Sequence, residues 1–335
     1  MFRWGLLGTS FISAVMARAI AQDEGARVHA VAGRNADTLA DLAASVPGVQ
    51  TYGTLDDLLA DPEVDAVYVA WPNHLHAQAV TACARAGRAV LCEKSFGVNL
   101  SGTDAALGTA REAGVFVMEG LMYLTHPLAA ALRDVVASGE LGELRVIQGT
   151  YAADIFRFVN PGSRGAIFNL GCYPASLAHL LLQAALGERP LCAARLHAFG
   201  NPSPDGNVGD TAATLHLPGG PLVQLHAAEG YGAEQATFSV TGTLGTLRCV
   251  TNPWMPLAGT NTFTVQPHGQ PERIAMVEAP TDAYATQVRL VRECVQAGQQ
   301  HAPRPAPRPE DTREIMQVLT AWETSVWERR TITLA

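Results

Sequence analysis

The sequence predicts two α/β architectures in series: a doubly wound parallel sheet over residues 1–122, then an α+β domain with a large, mostly antiparallel open sheet over residues 123–335. Three observations carry that prediction. Up to about residue 118, short apolar runs alternate with helical runs closed by glycine. The first apolar run breaks on Gly8-Thr9-Ser10 and continues as a helix. After residue 122, strand-like runs follow one another directly. Strand–helix alternation implies right-handed crossovers and a parallel sheet, whereas consecutive strands pair with their neighbours as antiparallel hairpins. Strand, glycine turn and helix together are the mark of the Rossmann nucleotide fold.

Composition narrows the function. With 48% apolar and 16% charged residues in 335, the chain can bury a substantial core. A net charge of −8 argues against nucleic acid and against an anionic membrane surface, leaving a small soluble ligand as the expected partner. The six cysteines are scattered, without a CxxC pair or metal-ligand spacing, which fits reduced thiols in a cytoplasm. No apolar run is long enough for a membrane span, and the N-terminus enters the strand-turn at once, so no export signal is expected.

In chain order, Phe2 to Leu7 reads as a strand. Phe11 to Gln22 reads as a helix with Phe11, Ile12, Val15, Met16, Ala19 and Ile20 on its apolar side. The turn between them keeps one glycine of the G-x-G-x-x-G fingerprint, Gly8; Ser10 and Ser13 are small enough to fit, and Ser10 is a candidate helix cap. The second strand, Val28 to Ala32, ends at Gly33-Arg34-Asn35. An NAD enzyme often places an acid there for the ribose hydroxyls, whereas Arg34 suits a 2′-phosphate through charge-assisted, bidentate hydrogen bonds.

The pattern then repeats. Thr54 to Leu59 is a capped short helix, Ala66 to Ala70 a strand, His74 to Ala86 a helix closed by Gly87, and Ala89 to Cys92 a strand. Leu100 to Ala113 is a helix closed by Gly114, followed by a strand from Val115 to Met118. Trp71-Pro72-Asn73 reads as a turn, and His74 and His76 pack or cap rather than bind metal, since no third ligand is evident. The run Ala89-Val90-Leu91-Cys92 ends in Glu93-Lys94. Strand ends of such sheets line the ligand crevice, so Lys94 can reach a substrate hydroxyl while Glu93 orients it.

These residues carry a resemblance. GLLGTSFIS, AGRN, WPNHLHAQAV, GRAVLCEKS, FVMEGLMYLTHP and GAIFNLGCYP, in this order, resemble the glucose-fructose oxidoreductase, inositol dehydrogenase and MocA family. Length and the tyrosine at 173 are nearer its dimeric dihydrodiol and D-xylose dehydrogenase branch. The resemblance implies NADP, with NAD as the alternative, held by Gly8, Thr9, Ser10, Phe11, Ile12, Arg34, Trp71, Pro72, Asn73, His76, Glu93 and Lys94. It implies sugar or polyol substrates contacting Tyr123, Asn169 and Tyr173, and a second domain used for oligomerisation as a homodimer or homotetramer. Tyr173 falls where the family has its catalytic His or Tyr, and Lys94 is its catalytic partner. Three departures stand out: Ser95 replaces a proline whose peptide is often cis, Asn169 replaces Asp, and Leu124 stands where Arg is common.

In the second half, strands are expected at Leu144 to Phe158, Ala193 to Phe199, Thr211 to Leu217, Leu222 to Ala228, Ala236 to Thr241 and Thr243 to Val250. Helices are expected at Pro174 to Leu186, Tyr284 to Gln296 and Asp311 to Glu328, with His301 to Pro309 a stiff proline-rich connector. Leu222, Val223, Leu225 and Phe238 are candidates for an apolar assembly patch. His179 reads as a core histidine. Three functions remain open: a hydride-transferring dehydrogenase with Tyr173 and Lys94 handling the proton, a catalytically silent cofactor-bound sensor, and a glycosidase using NAD transiently.

Overall fold

The computed structural model describes every residue except 231 and 233. It divides into two compact units, 1–122 with 284–312, and 123–283 with 313–335. The sequence reading put a single division at 122/123; the chain instead returns to its first unit near its end.

The first unit alternates strand and helix: β1 (Phe2–Leu7), α1 (Phe11–Ala21), β2 (Ala26–Ala32), α2 (Ala36–Ala44), β3 (Gln50–Tyr52), α3 (Leu55–Ala60), β4 (Ala66–Val69), α4 (His76–Arg85), β5 (Ala89–Cys92), α5 (Leu100–Ala113) and β6 (Val117–Glu119). All its strand pairs are parallel, in the order β3-β2-β1-β4-β5-β6. The order reverses between β1 and β4, the switch point at which such sheets open a crevice for ligands. Sequence chemistry sets the ends. Thr54 accepts from the Asp57 N–H at 3.1 Å to start α3, Asn99 caps α5, and Gly114 closes α5 at φ 67°. Both faces are covered, so β4 and β5 are apolar throughout and fully buried.

The second unit begins with α6 (Pro127–Ala137), capped by His126, whose Nδ1 accepts from the Leu128 N–H with Pro127 at the first helical position. Then come β7 (Leu144–Ala152), a π-helical turn at Ile167–Gly171, α7 (Cys172–Leu186), β8 (Arg195–Pro202), β9 (Val208–His216), β10 (Leu222–Ala228), β11 (Gln235–Gly242), β12 (Gly245–Cys249), β13 (Gly259–Pro267) and β14 (Arg273–Ala279). After them, α8 (Ala283–Gln296) packs Val288 and Val291 into the first unit's core. The connector 301–308 lies with it: Gln300 O accepts from the Val117 N–H at 3.4 Å and Ala302 and Ala306 are buried, so it covers the β6 edge. The chain ends with α9 (Pro309–Glu328) and β15 (Ile332–Thr333).

The nine-stranded sheet runs β14-β13-β12-β11-β7-β10-β9-β8-β15, antiparallel except for β7 beside β10. The expected strand from Leu144 to Phe158 stops at Ala152, and α2, β3, α6, β13, β14 and β15 are additional elements. The expected apolar patch is overturned. Val223, Leu225 and Phe238 point to the covered face and are 1–2% exposed; only Leu222 is open. Strand alternation explains this, because the intervening positions Gln148, Thr214, Gln224 and Thr237 form the exposed face.

Candidate active site

Each unit carries its own set of functional groups. In the first, the turn after β1 holds Gly8 at φ 118°, and a Cβ there would lie 3.0 Å from the Ala70 carbonyl oxygen, so the backbone requires glycine. The Ser13 hydroxyl donates to Gly8 O at 2.8 Å, closing the turn onto α1. Ser10 occupies the N-cap position without a side-chain cap bond, so its hydroxyl does not take the capping role read from sequence. Thr9 pairs with Thr38 at 2.7 Å, and a Cβ on Gly33 would meet Thr9 Cγ2 at 2.5 Å, which brings the ends of β1 and β2 close together. Phe11 is 76% exposed at the first turn of α1, whereas Ile12 packs toward the core. Beyond β2, a cavity of about 150 Å³ is lined by Gly33, Arg34, Thr54, Leu55 and Trp71. Exposed Arg34 follows β2 with no acid at the strand end.

Lys94 follows β5, and its backbone is tightly held. Buried Glu93 accepts the Tyr68 phenol proton at one oxygen and the Lys94 N–H at the other, 3.1 Å away. Burial raises the Glu93 carboxyl and the nearby Lys94 charge opposes that shift. The Lys94–Ser95 peptide is cis, and the Ser95 hydroxyl donates to Gly97 O at 2.8 Å. His76 is fully buried; its Nδ1 lies 2.8 Å from Ser95 O and its Nε2 2.6 Å from Trp71 O. A neutral imidazole donates to only one of these carbonyls, so His76 packs between the Trp71-Pro72-Asn73 turn and the lysine loop and is hydrogen-bonded to one of them. Burial pushes it down to about 4, with the two carbonyl contacts opposing. Asn73 Nδ2 reaches Ser95 Oγ at 3.5 Å.

Glu119, which the sequence reading did not single out, supports the same loop. It is 1% exposed and accepts the Phe96 N–H at 2.9 Å. Burial pushes its carboxyl up to about 7 against the Phe96 and Thr312 hydrogen bonds.

In the second unit the π-helical turn leads into α7, whose first turn carries Tyr173. A Cβ on Gly171 would lie 3.2 Å from the Trp322 ring and 3.6 Å from Ala227, so glycine lets this turn press onto β10. Tyr173 sits in a cluster of rings: 5.1 Å from Tyr151, 5.9 Å from Tyr123 and 6.2 Å from Trp254, centre to centre. Tyr123 is 2% exposed and its hydroxyl contacts Tyr173 O at 3.1 Å and Ser176 Oγ at 2.6 Å, so it fixes the start of α7. Leu124 is buried and cannot replace an arginine contact. Asn169 donates from Nδ2 to Glu229 Oε2 at 2.8 Å. His179 is buried and paired with Glu314, as a core histidine. Sequence reasoning found Tyr173 and Asn169 but not Tyr151, Trp254 or Glu229, which only strand pairing and loop packing bring near them.

A family model described as "Oxidoreductase family, NAD-binding Rossmann fold" (GFO_IDH_MocA) matches residues 2–121, and its C-terminal domain model matches residues 129–248. The chain belongs to this oxidoreductase family. It is an NAD(P)-dependent enzyme of the dehydrogenase and reductase type. It is 28% identical to bovine (Bos taurus) trans-1,2-dihydrobenzene-1,2-diol dehydrogenase over 90% of both chains, and 36% identical to D-xylose 1-dehydrogenase (NADP(+)) 2 of Haloferax volcanii over 53% of this chain and 57% of that one. The structure of KijD10, a 3-ketoreductase from Actinomadura kijaniata in complex with NADP, superposes with a TM-score of 0.83 over 97% of each chain, at 25% identity. The glycine cradle and the Arg34 cavity fit the cofactor these matches imply. No helix among the described residues is long and apolar enough to cross a membrane.

Proposed function

We propose that this protein transfers hydride between NADP(H) and a secondary carbinol or carbonyl carbon of a sugar, polyol or cyclic diol. The observation that carries the substrate class is the second unit's ring cluster around Tyr173, with the Asn169–Glu229 pair one turn away. Rings take the apolar face of a cyclic substrate, while an amide and a carboxylate recognise its hydroxyls. The preference for NADP(H) rests on Arg34 beside the cavity beyond β2, where a ribose-binding acid is absent.

Bound NADP(H) supplies or accepts the hydride. Tyr173 gives a proton to the substrate oxygen in reduction and takes it back in oxidation, and the Lys94 ammonium steadies the charge that builds there. Glu93 and Tyr68 hold the Lys94 backbone, His76 and Glu119 hold its loop, and Tyr123 holds the Tyr173 backbone. Gly8, Thr9, Ser10 and Phe11 would hold the pyrophosphate, and Trp71, Pro72 and Asn73 would serve the nicotinamide end. The proposal includes a cytoplasmic homodimer or homotetramer formed through the exposed face of the nine-stranded sheet. A panel of aldoses, polyols and cyclic diols assayed with both nicotinamides tests the reaction. Stoichiometric cofactor conversion is expected; sugar release without it indicates a hydrolase, and binding without either indicates a sensor.

A further inference from the structure

Glu229 follows the last residue of β10 and is fully buried, yet only one of its oxygens is hydrogen-bonded among the described residues. Oε2 accepts from Asn169 Nδ2 at 2.8 Å; Oε1 is buried without a partner. An unpaired buried carboxylate oxygen is costly, and in a native protein it calls for a functional or solvent explanation. Glu229 also lines a cavity of about 340 Å³ with Asp154, Phe156, Arg157, Asn201 and Asp210. The backbone around it is fixed: the Ile155 and Phe156 N–H groups donate to Glu229 O at 3.0 and 2.9 Å, and the Glu229 N–H donates to Gly209 O at 3.0 Å. The carboxylate is therefore anchored at its base and at one oxygen, and its other oxygen is held in place ahead of any ligand.

Resting on the function proposed above, we propose that Glu229 is the specificity-determining acceptor of this enzyme, taking a hydrogen bond at Oε1 from a substrate hydroxyl adjacent to the reacting carbon. Asn169 orients the carboxylate and is not itself the principal hydroxyl contact. Burial pushes the Glu229 carboxyl up to about 7, with the Asn169 hydrogen bond opposing. A site built to accept from a hydroxyl discriminates against the analogue that lacks it, because the acceptor is then left unpaired.

The test is binding of trans-1,2-cyclohexanediol and cyclohexanol to the NADP-loaded protein by calorimetry, with turnover measured on the same samples. Glu229→Gln keeps an oxygen for the Asn169 amide but offers an NH₂ group where Oε1 stood. The wild type should bind the diol at least about 10-fold more tightly than the mono-ol, and Glu229→Gln should erase that preference with NADP affinity unchanged. Retained preference in Glu229→Gln, or no preference in the wild type, overturns the proposal. Diol-selective binding without turnover removes the hydride-transfer reading and leaves Glu229 supported. Should the variant not fold, an infrared carboxyl-stretch change in the wild type on adding the diol, and not the mono-ol, supports Glu229, and its absence overturns the assignment.

Discussion

At the scale of single residues, the chemistry rests on side chains whose surroundings leave them few alternatives. Arg34 is exposed, makes the positive edge of a small cavity, and has no acidic neighbour at the end of β2. Arg34→Ala should weaken NADP(H) binding by about 1.5–3 kcal/mol, the scale of a charged hydrogen bond, and change NAD(H) binding little. Fluorescence titration with both cofactors measures this, and equal weakening would remove the phosphate assignment. Arg34, Lys94, Tyr173 and Asn169 stand out in the sequence because each sits in a short motif at a strand end or helix start. Glu229 and Trp254 do not. They lie 60 and 85 positions beyond Asn169, and neither stands in a motif of its own. The sequence points to Tyr123 and His76 as ligand contacts; in the structure both are buried and hydrogen-bonded within the chain, which spacing alone does not show.

At the scale of elements, local chemistry foretold most of the first unit, since its inner strands β4 and β5 are continuously apolar and α4 and α5 are closed by Gly87 and Gly114. The second unit was harder to read. The strand β13, Gly-Thr-Asn-Thr-Phe-Thr-Val-Gln-Pro, is rich in threonine, and β14 exposes Ile274 and Met276, so neither shows clean apolar–polar alternation. The helix α7 was expected from Pro174, but it starts at Cys172 behind a π-helical turn that no apolar period announces. The turn joining β1 to α1 makes the sharpest prediction at this scale. Gly8→Ala places a methyl against Ala70 O at a φ that side chains avoid. It should lower stability by about 1–3 kcal/mol and weaken both NADP(H) and NAD(H). Thermal melts with and without cofactor check it; unchanged affinity for both would exclude this turn from the cofactor site.

At the scale of the whole molecule, the mistaken apolar patch is instructive. Val223, Leu225 and Phe238 are core residues; the open positions of the sheet mix polar Gln148, Thr214, Gln224 and Thr237 with apolar Phe199, Leu222, Ile274 and Met276. Self-association through the open face would bring these positions of two copies together; Gln148 and Gln224, 2.8 Å apart, are already paired with each other within one chain. Light scattering that shows only monomer at micromolar concentration would dispose of it. Stability should also respond to pH through Glu119. Its folded value of about 7 lies above the 4.5 ordinary for a glutamate. Its contribution is therefore complete below about pH 4.5 and is lost as pH rises through about 7. Relative to wild type, Glu119→Gln should be more stable at pH 8 than at pH 4 by up to roughly 3 kcal/mol. Denaturant melts at the two pH values decide it, and a pH-independent difference would mean the carboxyl titrates normally.

The most direct measurement is steady-state turnover of Lys94→Met and Tyr173→Phe on the best substrate of the panel, with NADP(H) affinity measured on the same preparations. Both variants should lose about 10²- to 10⁴-fold in turnover, the usual scale for a positioned acid or base, while binding NADP(H) nearly as the wild type does. Near-normal turnover in either variant would contradict the role given to that residue, and near-normal turnover in both would contradict the proposed chemistry.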